Sequence, residues 1–113
     1  MPLRDNKTRL RHMLDTAEEL LGFTAGKSYD DLLEDRALQY LCIHCLEIIG
    51  EAANALEPDY CEMHPEIPWR PIISMRNRLI HGYYDVELSL VWDTVTLNIP
   101  TLLPPLRALI DAN

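Results

Sequence analysis

The chain has 113 residues, 48% hydrophobic and 25% charged, with a formal net charge of −8. That composition fits one ordinary globular domain and disfavours unselective affinity for a polyanion such as nucleic acid. No apolar run reaches the roughly 18 residues of a membrane span, and the charged N-terminus lacks a signal-peptide core, so a cytoplasmic protein with three reduced cysteines is expected.

In chain order, Leu10, Met13, Leu14, Ala17, Leu20 and Leu21 recur at helical spacing, predicting a first helix from about Asn6 to Leu21 that stops at Gly22. Ser28 and Asp31 form a capping-box start for a short helix, Tyr29 to Glu34. A long helix should follow from about Asp35 to Leu56, with Leu38, Leu41, Cys45, Ile48, Ile49, Ala52 and Leu56 as a broad apolar stripe. Glu57 to Trp69 holds Pro58, Pro65 and Pro68 and reads as a loop rather than a helix.

Pro71 suits the first turn of a helix reaching His81. That helix carries two apolar stripes, Ile72, Met75 and Leu79 on one side and Ile73 and Ile80 on another, and a homodimer would cover the second. Asp85 can cap a fifth helix over about Glu87 to Asn98, with Leu88, Val91, Trp92 and Val95 inward, although the β-branched residues there also suit a strand. Pro100 should interrupt before a last helix containing Leu102, Leu103, Leu106, Leu109 and Ile110, with Pro104 and Pro105 in its first turn or at a kink. The expected fold is an all-α bundle of four to five main helices in a single domain, 1–113.

The segment Ser74 to Tyr84 concentrates chemistry-bearing residues. Four residues separate Arg76 from His81, Asn77 lies i,i+4 from His81, and Gly82 precedes Tyr83 and Tyr84. On a helix, Asn77 and His81 are about 40° apart, whereas Arg76 and His81 differ by about 140°, so the arginine must reach round on its stem. Gly82 is a natural residue just past a helix end, which puts His81 in the last turn at the negative end of the helix dipole.

Arg76-x4-His81-x-Tyr83 resembles the signature of HEPN-superfamily ribonucleases. The string Arg76-Asn77-Arg78-Leu79-Ile80-His81-Gly82-Tyr83 resembles the HepT-type branch, the ribonuclease toxins of HepT/MntA toxin–antitoxin systems. Ile48-Ile49-Gly50-Glu51-Ala52, Ile67-Pro68-Trp69, and Val91-Trp92-Asp93-Thr94 with Pro100 fit that branch in the same order, so the likeness covers residues from about 10 to the end. It implies a HEPN-like bundle in a two-fold dimer and a metal-independent endoribonuclease, with Arg76, Asn77 and His81 as the catalytic set. It also implies a type VII system, in which a minimal nucleotidyltransferase antitoxin attaches AMP to the motif tyrosine, Tyr83 here. No cofactor, metal, membrane or DNA partner is implied.

The acidic net charge is unevenly spread. Residues 67–84 contain Arg70, Arg76 and Arg78 and no carboxylate, and residues 1–12 carry Arg4, Lys7, Arg9 and Arg11 against Asp5 alone. Each segment is +3 and the remainder −14, so an RNA has a local docking field, with Arg70 and Arg78 as candidate RNA contacts. Cleavage by the neighbouring 2′-hydroxyl needs a base, an acid and positive charge for the phosphorane. Histidine titrates near neutrality and a guanidinium holds two phosphate oxygens at once, so His81 and Arg76 supply one of each. Asn77 would orient His81 or bind a phosphate. The plainer reading pairs Arg76 with a carboxylate and makes His81 a helix end.

Three other features admit a second reading. Cys42-x2-Cys45 and Cys61-x2-His64 have zinc-site spacing, yet Cys45 falls in the core stripe of its helix, and a zinc-stabilised scaffold rests on these residues alone. Glu47 and Glu51 are i,i+4 on the long helix; Glu51 can pair with an arginine of the motif helix and Glu47 reads as solvated. His12 and His44 read as surface residues without a role. The alternative function is a non-catalytic nucleotide- or partner-binding subunit of a nucleotidyltransferase, which the net charge favours and the intact Arg76, Asn77, His81 set does not.

Overall fold

Helix α1 (Leu3–Thr24) opens the computed structural model, which describes residues 3–81 and 86–112. Leu10, Met13, Leu14, Ala17 and Leu20 are buried along its inner face, as their spacing requires. The helix runs through Gly22, where it was expected to stop. The end is set instead by Thr24, whose hydroxyl donates to the Leu20 carbonyl at 2.9 Å, and by Gly26, which takes a φ of 75°. That left-handed conformation is a common way for a chain to leave a helix, and Gly22 does not adopt it.

The Ser28 capping box is present in full. Asp31 N–H donates to Ser28 Oγ at 3.1 Å and Ser28 N–H to Asp31 Oδ2 at 2.8 Å, starting α2 (Tyr29–Glu34). Asp35 then ends α2 and caps α3 (Arg36–Asn54), its Oδ1 accepting from Leu38 N–H at 3.1 Å. Gln39 Nε2 donates to the Leu32 carbonyl at 2.9 Å and folds α2 back on α3. In α3 the core takes Leu38, Cys42, Cys45, Leu46, Ile49, Ala52 and Ala53, while Leu41 and Ile48 are only half-buried. The buried stripe is therefore rotated from the expected one.

The stretch expected to be a loop contains a short helix, α4 (Pro58–Met63). Proline at the first helical position loses only an N–H that has no intrahelical partner anyway, so Pro58 initiates rather than forbids the turn. Tyr60 and Ile67 anchor the segment in the core, and Trp69 Nε1 donates to the His64 carbonyl at 2.9 Å where α5 (Trp69–His81) begins.

After residues 82–85, α6 (Leu88–Asp93) starts with Glu87 at its cap position, so the expected Asp85 cap lies outside the described residues. The strand reading fails: Thr94–Asn98 is π-helical and leads without a break into α7 (Ile99–Ala112). Pro100 therefore does not interrupt. A proline ring clashes with the carbonyl four residues earlier, and the wider π turn, with Ile99 N–H bonded to the Thr94 carbonyl, opens that spacing. The Thr94 and Thr96 hydroxyls cap the Leu90 and Trp92 carbonyls at 2.8 Å each.

The described residues are all-α, with no strand, in a body 43 × 28 × 19 Å. Its thinnest dimension is about two helix diameters, so the main helices keep one face in the core and another in solvent. α3 is central, with α1 on one side and α5 on the other, and α7 closes against α1, where Arg107 Nη2 meets Glu18 Oε2 at 2.9 Å.

Gly50 fixes the α3–α5 crossing. A Cβ there would lie 2.2 Å from Arg76 Cβ and 3.1 Å from the Ile72 carbonyl oxygen, whereas one at Gly22 would meet nothing within 4 Å. Gly50→Ala should therefore destabilise the protein by about 1–3 kcal/mol through overpacking against backbone-proximal atoms. Gly22→Ala should stabilise it by about 0.5–1 kcal/mol, because an exposed helical glycine loses more chain entropy than alanine. Urea unfolding of the two variants checks both signs.

Candidate active site

The close approach at Gly50 brings α5 against the residue that follows it in α3. Arg76 Nη2 donates to Glu51 Oε2 at 2.5 Å, and Arg76 Nη1 donates to Asn77 Oδ1 at 2.8 Å. The arginine side chain is 22% exposed and the glutamate 63%, so the pair lies at the rim of the domain with its guanidinium the more enclosed partner. Arg76 Nε is buried and has no hydrogen-bond partner among the described residues. A guanidinium has five N–H donors, and two hydrogen bonds leave donors free for an incoming oxyanion. Because Glu51 is exposed, a phosphate competing for the same guanidinium displaces a well-hydrated carboxylate.

His81 is the last residue of α5 and is exposed, with no hydrogen bond or ion pair among the described residues. Both the pairing of Arg76 with a carboxylate and the position of His81 in the last turn agree with the reading from spacing. Asn77 differs: its side-chain oxygen faces the arginine rather than the histidine. Gly82, Tyr83 and Tyr84 lie outside the described residues, and the expected tyrosine site with them.

Arg70 and Arg78 are both exposed, but they do not join Arg76 in one patch. Arg70 borders a hollow of about 350 Å³ with Pro58, Cys61 and Ile73, and Arg78 flanks a small one with Val86 and Glu87. Two positions along a helix is a rotation of about 200°, which puts Arg78 on the far side of α5 from Arg76. Within the chain the arrangement gathers Arg76, Asn77 and Glu51, with His81 one turn further on.

His12 and His44, which the sequence left without a role, line a groove of about 360 Å³ with Arg9, Glu47, Glu51 and Ile80. A signal for it exists in the chain: His44, Glu47 and Glu51 are spaced i, i+3, i+7 on one face of α3.

The cysteines are placed by packing. Cys42 is fully buried and Cys45 buried in α3, while Cys61 is half-buried in α4. The His64 ring packs tilted against Tyr60 with centroids 4.5 Å apart, and its Nδ1 lies 3.4 Å from Glu66 Oε2. Among the described residues no three histidine, cysteine or acidic side chains are grouped to hold a metal ion. No described helix is long and apolar enough to cross a membrane.

Comparison with known proteins identifies a family. The family described as "Ribonuclease HepT-like" matches residues 13–109. "Probable ribonuclease HepT" of Thermococcus cleftensis is 39% identical over 99 residues, covering 88% of this chain and 90% of its own. Two Methanocaldococcus jannaschii proteins, each named "Putative RNase", are 35% and 36% identical over 102 residues, covering 90% of this chain and 84% and 88% of theirs. No solved structure matches the chain.

Burial pushes the Cys42 thiol up to about 11, with the neighbouring Cys45 adding to it, and burial also raises Cys45 and Cys61. Near pH 8 the three should therefore be held mainly as thiols and react slowly, because the thiolate is the nucleophile. Iodoacetamide should label Cys61 first and Cys42 only after denaturant is added, and the purified protein should carry substoichiometric zinc. Peptide mass spectrometry and elemental analysis check these outcomes.

Proposed function

The chain belongs to the HepT-like ribonuclease family, and from that premise we propose that it is the endoribonuclease toxin of a type VII toxin–antitoxin pair, cleaving RNA without a metal. The observation that carries this reading is Arg76, seated against Gly50, held by Glu51 and Asn77, and sharing α5 with the exposed His81. In the proposed mechanism the guanidinium binds the scissile phosphate and stabilises charge on the phosphorane. His81 takes the proton from the 2′-hydroxyl or gives one to the departing 5′-oxygen. One histidine per chain performs both transfers poorly. A two-fold dimer with α5 at its interface would supply the second, and the exposed Ile80 with the half-buried Ile73 is an apolar surface suited to it.

Arg70 and Arg78 are proposed to hold flanking phosphates of an RNA that spans both protomers, since within one protomer they point away from Arg76. Control is proposed to act at Tyr83. A nucleotidyltransferase antitoxin joins the tyrosine oxygen to the α-phosphate of ATP and releases pyrophosphate. The added phosphate, two residues beyond His81 in sequence, is proposed to repel the backbone that Arg76 attracts.

His81→Ala and Arg76→Ala should each lower RNA cleavage by roughly 10²–10⁴-fold while the circular dichroism stays native. Products of the native protein should end in a 2′,3′-cyclic phosphate or its opened form, and chelator should not slow their formation. Full cleavage by His81→Ala would overturn the mechanism.

Tyr83→Phe should remain an active nuclease yet escape silencing, making it the more toxic protein when co-expressed with the antitoxin. Intact-mass spectrometry reads the adduct directly, and an AMP adduct that persists in Tyr83→Phe would move the modification elsewhere.

A further inference from the structure

The groove between α1 and α3 remains outside the mechanism above. It holds about 360 Å³, within the range of small-ligand pockets and enough for a nucleotide-sized group. Arg9 and His12 enter it from α1 at i,i+3 spacing, and His44, Glu47 and Glu51 from one face of α3. Asn6 Oδ1 accepts from Glu57 N–H at 3.4 Å, so α1 runs antiparallel to α3 and Arg9 lies toward the Glu51 end. At that end Glu51 holds Arg76, and Ile80, the residue before His81, also lines the groove. The groove is therefore continuous with the candidate active site.

Its polar groups are unspent. Among the described residues Arg9, His12, His44 and Glu47 make no hydrogen bond or ion pair, although four ionisable side chains converge there. A single-stranded nucleotide matches that set. A guanidinium binds phosphate, imidazole rings stack on bases, and a carboxylate accepts from base N–H groups. A protein surface covering the groove would instead have to pair both signs of charge and two imidazoles.

We propose that this groove is a nucleotide subsite for the RNA substrate, with Arg9 on a phosphate, His12 and His44 against a base, and Glu47 accepting from that base's edge. It rests on the ribonuclease reading of the Arg76 and His81 site and adds to it a second place where the strand is held. The acidic net charge then limits unselective binding, while the groove supplies contacts that a duplex, with its bases paired, cannot fill.

The test measures binding of a short fluorescein-labelled single-stranded RNA to His81→Ala protein, which holds the strand without cutting it. Adding Arg9→Ala and His44→Ala should weaken binding roughly tenfold. His44→Ala alone, a change at an exposed position, should give a smaller loss in the same direction, and Arg36→Ala at the far end of α3 should give none. In otherwise native protein the double change should lower the cleavage rate at limiting RNA by the same factor, and 4-thiouridine crosslinks should map to residues 9–12 and 44–47. Unchanged affinity in the double variant overturns the subsite. So does an equal loss from Arg36→Ala, or a loss that sedimentation traces to a broken dimer, which would assign the groove to a second copy of the chain. The two readings fail separately: full cleavage by His81→Ala removes the catalytic assignment, while unchanged RNA affinity in the groove variants removes only the subsite.

Discussion

Everything distinctive about this domain depends on two helices touching at a glycine. With no side chain at Gly50, α3 and α5 come closer than any other residue permits, and the space a methyl group would need is taken by the Arg76 stem. The consequence is electrostatic as well as steric. The arginine is enclosed enough to be oriented, yet its terminal nitrogens still reach Glu51 and Asn77 at the rim. A wider crossing would leave a flexible cation in bulk water, with more rotamer entropy to lose before it could be held in one orientation.

The thinness of the body matters for the same reason. At 19 Å across, the domain cannot bury its candidate site residues deeply, so it presents them on helix faces that are core on one side and open on the other. α5 shows the arrangement most clearly: Trp69 and Leu79 are in the core, Arg76 is at the boundary, and Asn77, Ile80 and His81 are outside. α3 does likewise, with Cys42, Leu46 and Ile49 inward and His44, Glu47 and Glu51 facing the groove. The two open faces meet at Glu51. At that meeting Arg76 and Arg9 stand beside Glu51 and Glu47, so the local charge is near balance although the chain as a whole carries −8.

The π-helical stretch and the prolines around it illustrate how a local rule yields to its surroundings. Three prolines within α7 should break a helix. Here the wide turn at Thr94–Asn98 absorbs the first, the threonine hydroxyls occupy nearby carbonyls, and burial of Val95, Ile99, Leu102 and Leu106 holds the segment in place. Pro58 acts in the opposite direction, as the starter of α4 rather than the mark of a loop.

By itself the sequence determined the helical class, the Ser28 capping box, the inner face of α1, the extent of α5 to His81 and the family. Each follows from periodicity, a local hydrogen-bonding pattern or, for the family, motifs in a fixed order along the chain, none of which needs a spatial neighbour to be seen. It also pointed to Glu51 as a partner for an arginine of α5, though not to Asn77 as the other. What only the tertiary structure decided is everything set by contact between distant segments. The end of α1 at Thr24 and Gly26, the rotation of the α3 stripe toward Cys42 and Leu46, and the helix at Pro58 depend on which surfaces meet in the core. So do the separation of Arg70 and Arg78 from Arg76 and the groove that gives His12 and His44 a shared surface. A helical repeat tells which residues share a face. Which face is covered, and by what, is decided by how closely the helices can pack, and here that distance is set by the hydrogen atom of Gly50.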